Sequence, residues 1–273
     1  MQQRLTDLLA IDAIAPSPVT RAMLAAAIDG AEAIGPLRQR FERANITLKG
    51  ARDLQTAADI ASERAITARL QAAFPGHAIR GEEGTAFDGS EGEFLVDPID
   101  GTTNFAFGMP FFGICIALRR AGETVAGVVL DPSLGEAFVA ETGKGAFLNG
   151  TRLATVRHVA PDEALIGASL PVPGQLRSIP VETYHAALRR VMDTATGVRR
   201  LGSAALSLCY VAAGRHDAFF EDGLSPHDYA AAALIVTEAG GIVTGFSGAP
   251  VDARGAVLAG NPSLHPWLVS LLE

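Results

Sequence analysis

The chain is short of several things that other protein classes depend on. Of its 273 residues only two are cysteine, one is tryptophan and three are tyrosine, and aromatic residues make up 6%. Cys115 and Cys209 lie far apart, each inside an apolar run, so they read as two buried free thiols rather than a disulfide framework. Charged residues amount to 19% and the formal net charge is -8. Nucleic-acid and anionic-membrane binding draw on clustered positive charge, which is absent here, so neither is expected as a direct partner. Long apolar runs are missing too: the longest, residues 111–118 and 230–236, are far too short to span a bilayer. Residues 1–20 lack the basic segment and long apolar stretch of a signal peptide, so a cytoplasmic location is the expectation.

Apolar material, by contrast, is plentiful. Hydrophobic residues reach 48% with a mean hydropathy of +0.24, which excludes disorder for most of the chain. The length allows one large domain or two closely packed ones. We read residues 1–20 as an N-terminal extension, a mixed leader ended by Pro16 and Pro18. Residues 21–151 form an N-terminal α+β half and 152–273 a C-terminal α/β half. A helix is expected over 21–45, weakened by Gly30 and Gly35, and a clearer one over 56–74, where Ile66, Leu70 and Phe74 recur every four residues. Short strands follow at 78–80, 93–97, 111–119, 124–130 and 136–140, with a hairpin at Ala121-Gly122-Glu123. The second half alternates: strands at 164–170, 198–201, 217–220 and 241–246, helices at 181–193, 203–213, 229–238 and 263–272. The expected architecture is α/β (α+β), a layered sandwich whose halves meet at a cleft.

The chemistry is concentrated in acids. Asp97-Pro98-Ile99-Asp100-Gly101-Thr102-Thr103-Asn104 follows an apolar strand, and Pro98 and Gly101 bend it so that two carboxylates can converge. Glu82-Glu83 ends another strand and Asp228 opens a helix after Ser225-Pro226-His227. Asp97, Asp100, Glu82 and Asp228 make a hard-oxygen set suited to Mg²⁺ or Mn²⁺ and unlike the Cys/His sets of zinc. Gathered together, they would repel one another unless cations neutralised them. Thr102 could orient a water and the amides of the Gly101-Thr102 turn could hold phosphate. Each acid taken alone reads better as a turn or cap residue, and periodicity does not establish a site.

The string Asp97-Pro98-Ile99-Asp100-Gly101-Thr102-Thr103-Asn104-Phe105 resembles the metal-binding signature of the inositol monophosphatase family. Gly81-Glu82-Glu83, the segment 54–59 ending in Asp59, the run Gly202-Ser203-Ala204-Ala205, and Glu221 with Asp228 fall in matching places, over roughly residues 21 to 273. The resemblance implies an α-β-α-β-α sandwich and a lithium-sensitive, dimeric phosphatase carrying two or three Mg²⁺, with Mn²⁺ as a substitute. It implies that Glu82, Asp97, the Ile99 carbonyl and Thr102 bind one metal, and Asp97, Asp100 and Asp228 another. Asp59, Thr102 and Glu82 would activate the water. Asp100, Gly101, Thr102, Gly202, Ser203, Ala204 and Glu221 would bind a small phosphorylated polyol. The family's Trp-Asp-x-Ala-Ala-Gly stretch is altered here to His227-Asp228-Tyr229-Ala230-Ala231-Ala232, which keeps the aspartate and changes the pocket wall. Inositol monophosphate is the expected substrate, with histidinol phosphate and fructose-1,6-bisphosphate as alternatives. Some bacterial relatives are regulatory binding proteins, which is the reading from another class.

Other features carry less. Thr142-Gly143-Lys144-Gly145 lacks the spacing of a nucleotide loop and reads as a hairpin turn, and no Gly-x-Ser-x-Gly elbow is present. Arg199-Arg200 reads as a solvated strand end that could attract phosphate, His227 as a structural or substrate-contacting residue, and Pro266 and Trp267 as packing for the last helix.

Overall fold

The computed structural model describes residues 2–11, 14–38, 46–50, 53–154 and 158–273. Two helices, α1 (Gln2–Leu9) and α2 (Pro18–Arg38), lead to a hairpin of β1 (Ile46–Gly50) and β2 (Asp53–Thr56). Then come α3 (Ala57–Ala73), β3 (Ala78–Gly81), β4 (Ala86–Phe87), β5 (Glu93–Asp100) and the short α4 (Thr102–Ala106). A meander follows: β6 (Gly113–Arg120), β7 (Glu123–Asp131), β8 (Glu136–Glu141), β9 (Gly145–Leu148) and β10 (Thr151–Arg152). The rest comprises β11 (Leu165–Ala168), α5 (Val181–Thr194), β12 (Gly197–Arg199), α6 (Ala204–Ala212), β13 (Ala218–Glu221), α7 (Pro226–Glu238), β14 (Ile242–Thr244), β15 (Val257–Gly260) and α8 (His265–Leu272).

Period-two alternation builds the layers. In the eight-stranded sheet, ordered β10-β9-β8-β7-β6-β5-β3-β4, only the β3–β5 pair is parallel. Phe94, Val96, Ile114, Ile116, Val128 and Val139 point to one face and share a core with α1, α2 and α3. Leu95, Cys115, Ala117, Val129 and Phe138 point to the other and meet α6 and α7. Burying each such side chain contributes about 1.5–3 kcal/mol, and a one-residue slip would turn the whole set over, so the register is firmly held. The five-stranded sheet, ordered β12-β11-β13-β15-β14, repeats the arrangement. Phe219, Val257 and Ala259 face α6 and α7, while Ala218, Phe220 and Leu258 face α5 and α8. The result is the α-β-α-β-α sandwich. Cys115 and Cys209 are buried free thiols, and no helix among the described residues is long and apolar enough to cross a membrane.

The structure corrects several sequence expectations. Residues 2–9 form a helix whose Leu5 and Leu8 are buried against α2, where a mixed leader was expected. Pro18 starts a helix rather than ending a segment, and Pro226 starts α7 two residues before Asp228. At a helix start proline has no amide hydrogen bond to lose and its φ is preset. The tail of the expected helix over 21–45, residues 39–45, lies outside the described residues. The small strands β4, β9 and β10 and the fully buried β15 were not expected at all.

Candidate active site

Strand β5 delivers the central carboxylates. Asp97 pairs with Cys115 of β6 but Asp100 with Gly113, so three steps on β5 oppose two on β6. This one-residue bulge at Pro98-Ile99 is what allows Asp97 and Asp100 to share a face. Without it, residues three apart on a strand point to opposite sides. The sequence suggested that Asp100 lies in a loop; it is instead the last residue of the bulged strand. The shared face is that of Leu95, toward α6 and α7.

Elements from both faces of the sheet supply groups around the end of β5. Asp59 is the third residue of α3 and caps it, its Oδ2 accepting from the Thr56 amide at 2.7 Å and the Thr56 hydroxyl at 2.6 Å. Its Oδ1 lies 3.1 Å from the Thr102 hydroxyl, which is also 3.0 Å from the Ile99 carbonyl oxygen. Thr102 opens α4 behind Gly101, whose φ of 95° suits glycine and whose added Cβ would sit 3.1 Å from the Gly202 carbonyl. The first turn of α4 receives no side-chain cap, which leaves those amides available. Asn104 locks this junction of the two halves by donating to the Phe111 and Leu201 carbonyls, both at 2.7 Å.

From the other half, α6 directs its first amides at Asp100. Ala205 donates at 2.8 Å and Ala204 at 3.2 Å, and the Ser203 hydroxyl also donates to Asp100 Oδ2. Asp228 is the third residue of α7 and its Oδ2 accepts from the Ser225 amide at 2.7 Å. The two candidate site residues Asp59 and Asp228 are therefore also helix caps. Glu82 sits in the turn after β3, beside Asp97 and hydrogen-bonded to it.

The electrostatics are those of crowded acids. Asp97 is raised well above the usual carboxylate range by burial, then by the charges of Glu82, Asp100 and Asp228. Burial and the Asp228 charge push Asp100 up to about 7 against the pull of Ser203 and Ala205. Glu221, at the end of β13, is also pushed up to about 7, by burial first, with hydrogen bonds from Ser169 and Gln175 opposing. Burial raises Asp59 as well, with the Thr56 bonds pulling it back.

A cleft of about 180 Å³ opens beside part of this set, lined by Asp100, Gly202, Ser203, Ala204, Glu221 and Asp228 together with Ser169 and Arg200. Glu82, Asp97, Asp59 and Thr102 lie outside that lining. Among the described residues, no three His, Cys, Asp or Glu side chains are arranged as ready ligands about one point. The donor chemistry nevertheless fits hard divalent cations: buried carboxylates raise one another's pKa, and the only basic side chain lining the cleft is Arg200, exposed at its mouth.

Sequence reasoning passed over several residues. Glu63 of α3 is buried and accepts from the Glu83 amide at 2.7 Å and the Thr85 amide at 2.9 Å, shaping the turn that carries Glu82. Ser62 donates to the Pro98 carbonyl at the bulge, at 3.1 Å. Both lie on the buried stripe of α3 with Asp59, Ile66 and Leu70, so polar residues on an apolar stripe were the available signal. His227 is 3.2 Å from the Arg80 carbonyl and absent from the cleft lining, a tie between α7 and β3.

Mixed sheets layered with helices, with buried acids gathered at the end of β5, define an α-β-α-β-α sandwich with an acidic candidate site. The inositol monophosphatase family profile matches residues 15–273. The Nus factor SuhB of Pseudomonas aeruginosa is 40% identical over 262 residues, covering 94% of this chain and 96% of that one. The inositol-1-monophosphatase of Mesorhizobium japonicum is 39% identical over 263 residues, 95% of this chain and 98% of that one. The crystal structure of the extragenic suppressor protein suhB from Bartonella henselae superposes with a TM-score of 0.88 at 38% identity, covering 94% and 99% of the two chains. The chain belongs to the inositol monophosphatase family.

Proposed function

We propose that this phosphatase hydrolyses inositol monophosphate, or a similar small polyol phosphate, by direct attack of water and with Mg²⁺ as cofactor. The observation that carries this is the set of carboxylates around Asp97 that burial and mutual repulsion push toward protonation. Glu82, Asp97, the Ile99 carbonyl, Asp100, Thr102 and Asp228 would hold two or three Mg²⁺, with Mn²⁺ able to substitute. Bound cations of this kind neutralise the carboxylates, grip phosphate oxygens and acidify water.

The chain's own groups supply the rest. The Thr102 hydroxyl has its proton directed at Asp59 and Ile99, which leaves a lone pair to accept from water. A water donating to Thr102 is oriented for in-line attack, and its proton can pass through the hydroxyl to Asp59, with Glu82 assisting. The Gly101 and Thr102 amides receive phosphate oxygen. Gly202, Ser203, Ala204 and Glu221 line the space for the alcohol portion, and Arg200 adds positive potential at the mouth. A cytoplasmic homodimer sensitive to Li⁺ belongs to the same proposal.

Phosphate release from inositol-1-phosphate, histidinol phosphate, fructose-1,6-bisphosphate and phosphoadenosine phosphate, with and without Mg²⁺ and Li⁺, tests the reading. We expect Mg²⁺-dependent, Li⁺-inhibited release, greatest with inositol-1-phosphate. Preference for another ester would reassign the substrate, and release without any divalent cation would remove the metal. A regulatory role is a second reading, supported by the SuhB relative matching at the same level as the inositol-1-monophosphatase. Capture of a stable protein partner by an Asp97→Asn variant would support it.

A further inference from the structure

Beyond the cleft, one loop is built around a single side chain that no sequence motif singled out. Residues 169–180 connect β11 to α5. Within them, Val172-Pro173-Gly174-Gln175 forms a β-turn closed by the Gln175 amide donating to the Val172 carbonyl at 3.0 Å. Pro173 presets the first corner, and Gly174, with φ 87°, supplies the left-handed second corner. The turn places Gln175 at its exit, and its side chain is then fixed at both ends. Its Oε1 accepts from the Val172 amide at 3.1 Å. Its Nε2 donates to Glu221 Oε1 at 3.0 Å and to the Asp222 carbonyl at 3.3 Å. One amide hydrogen reaching the acceptor end, and two acceptors at the donor end, assign the amide's orientation without ambiguity.

The loop is fastened a second time. Asp222 is buried, and its Oδ2 accepts from the Arg177 amide at 2.9 Å, the Ser178 amide at 2.9 Å and the Ser178 hydroxyl at 2.7 Å. Two neighbouring acids at the end of β13 are thus treated differently. Asp222 is spent on the loop, whereas Glu221 receives Gln175 from the loop side and still lines the cleft beside Asp228, Ser203 and Arg200. Gln175 itself is not part of the cleft lining, so whatever it does there passes through Glu221.

We infer that Gln175 is a positioning residue that fixes Glu221 as a hydrogen-bond acceptor, so that the cleft selects phosphate esters whose alcohol portion carries further hydroxyls over esters whose alcohol portion carries none. The inference rests on the proposed reading of Glu221 as a wall of the alcohol pocket. Glu221 already accepts from Ser169, and the Gln175 amide adds a second bond that narrows the directions in which the carboxylate can face the cleft. A polyol hydroxyl pointing at Glu221 meets a pre-oriented acceptor and loses less in ordering it.

The test compares inositol-1-phosphate with p-nitrophenyl phosphate, whose alcohol portion carries no further hydroxyl. Gln175→Met keeps the bulk and removes the donor. The ratio of kcat/KM for the two esters is expected to fall about tenfold, mostly through KM for inositol-1-phosphate, the scale of one hydrogen bond to a charged group. Gln175→Glu sets a like charge beside Glu221 and lowers the ratio further. In a Glu221→Ala background, which removes the acceptor, Gln175→Met changes the ratio little, because its effect runs through Glu221. A merely structural loop would lower turnover of both esters together and add its effect to that of Glu221→Ala, and either result overturns the inference. Wild-type enzyme with no preference for the polyol ester would overturn the reading of Glu221 itself, a result visible before any variant is made. Unchanged selectivity in Gln175→Met, with wild-type preference intact, would remove Gln175 alone.

Discussion

Two glycine-containing turns of this chain handle negative charge in opposite ways. At Thr142-Gly143-Lys144-Gly145 the anion is the protein's own: Glu238 of α7 accepts from the Gly143 amide at 2.9 Å and the Gly145 amide at 2.8 Å. Lys144 pairs with Glu141 at 2.6 Å. Both acids there are answered from within the chain, Glu238 by two amides and Glu141 by Lys144. At Asp97–Thr102 the carboxylates face Glu82 and Asp228, and among the described residues neither Asp97 nor Asp100 forms an ion pair. Hydroxyls and amides satisfy part of Asp100, and among the described residues lining the cleft a single guanidinium, Arg200, stands against the summed charge. A balanced turn is structural; an unbalanced one needs something from outside, and the imbalance marks the site.

The largest expected effect comes from relieving the imbalance. Asp97→Asn should cut turnover by at least about a hundredfold, beyond what loss of an outer-shell partner causes. Its circular dichroism should be unchanged and its metal-free melting temperature no lower, since a repelled charge has gone. Next is Gly101→Ala, which forces a φ of 95° on a side-chain-bearing residue and presses a methyl toward the Gly202 carbonyl. A loss of about 1–2 kcal/mol in urea unfolding is expected, with turnover reduced because Thr102 and Asp100 shift together.

A pH experiment sharpens the contrast. Asp100 and Glu221 titrate near 7 in the folded chain and lower when unfolded, so between those values the native state binds more protons. Metal-free stability from these groups therefore falls as pH rises toward and through 7. Mg²⁺ should undo that loss, so the rise in melting temperature on adding Mg²⁺ should grow from pH 5.5 to pH 8. Comparing with and without Mg²⁺ cancels the opposite contribution of His216, which burial pushes down to about 4. The smallest effect on turnover is at the balanced turn: Glu238→Ala should leave turnover unchanged and cost only stability, about 1–3 kcal/mol for the loss of charge-assisted bonds.

Much of this was legible before any coordinates. Strand alternation across 93–140 and the α3 stripe fixed the layers, because periodicity reports burial directly. The Asp97–Phe105 string pointed to the acids. What could not be read was how distant segments answer one another. The bulge at Pro98-Ile99 depends on the register with β6, and the hold of α6 on Asp100 joins residues 103 to 105 positions apart. Gln175 meets Glu221 across 46 positions. The prolines misled because Pro18 and Pro226 look alike as breakers and starters until the helix direction is known.

The central claim is that the unbalanced acids work as a metal-dependent phosphatase site. It is met most directly by titrating Mg²⁺ into wild-type and Asp97→Asn protein while following phosphate release from inositol-1-phosphate. The account predicts no release in chelator, saturable release with Mg²⁺ for wild type, and almost none for Asp97→Asn at any concentration. Equal release by both proteins, or release that chelator does not abolish, would contradict it.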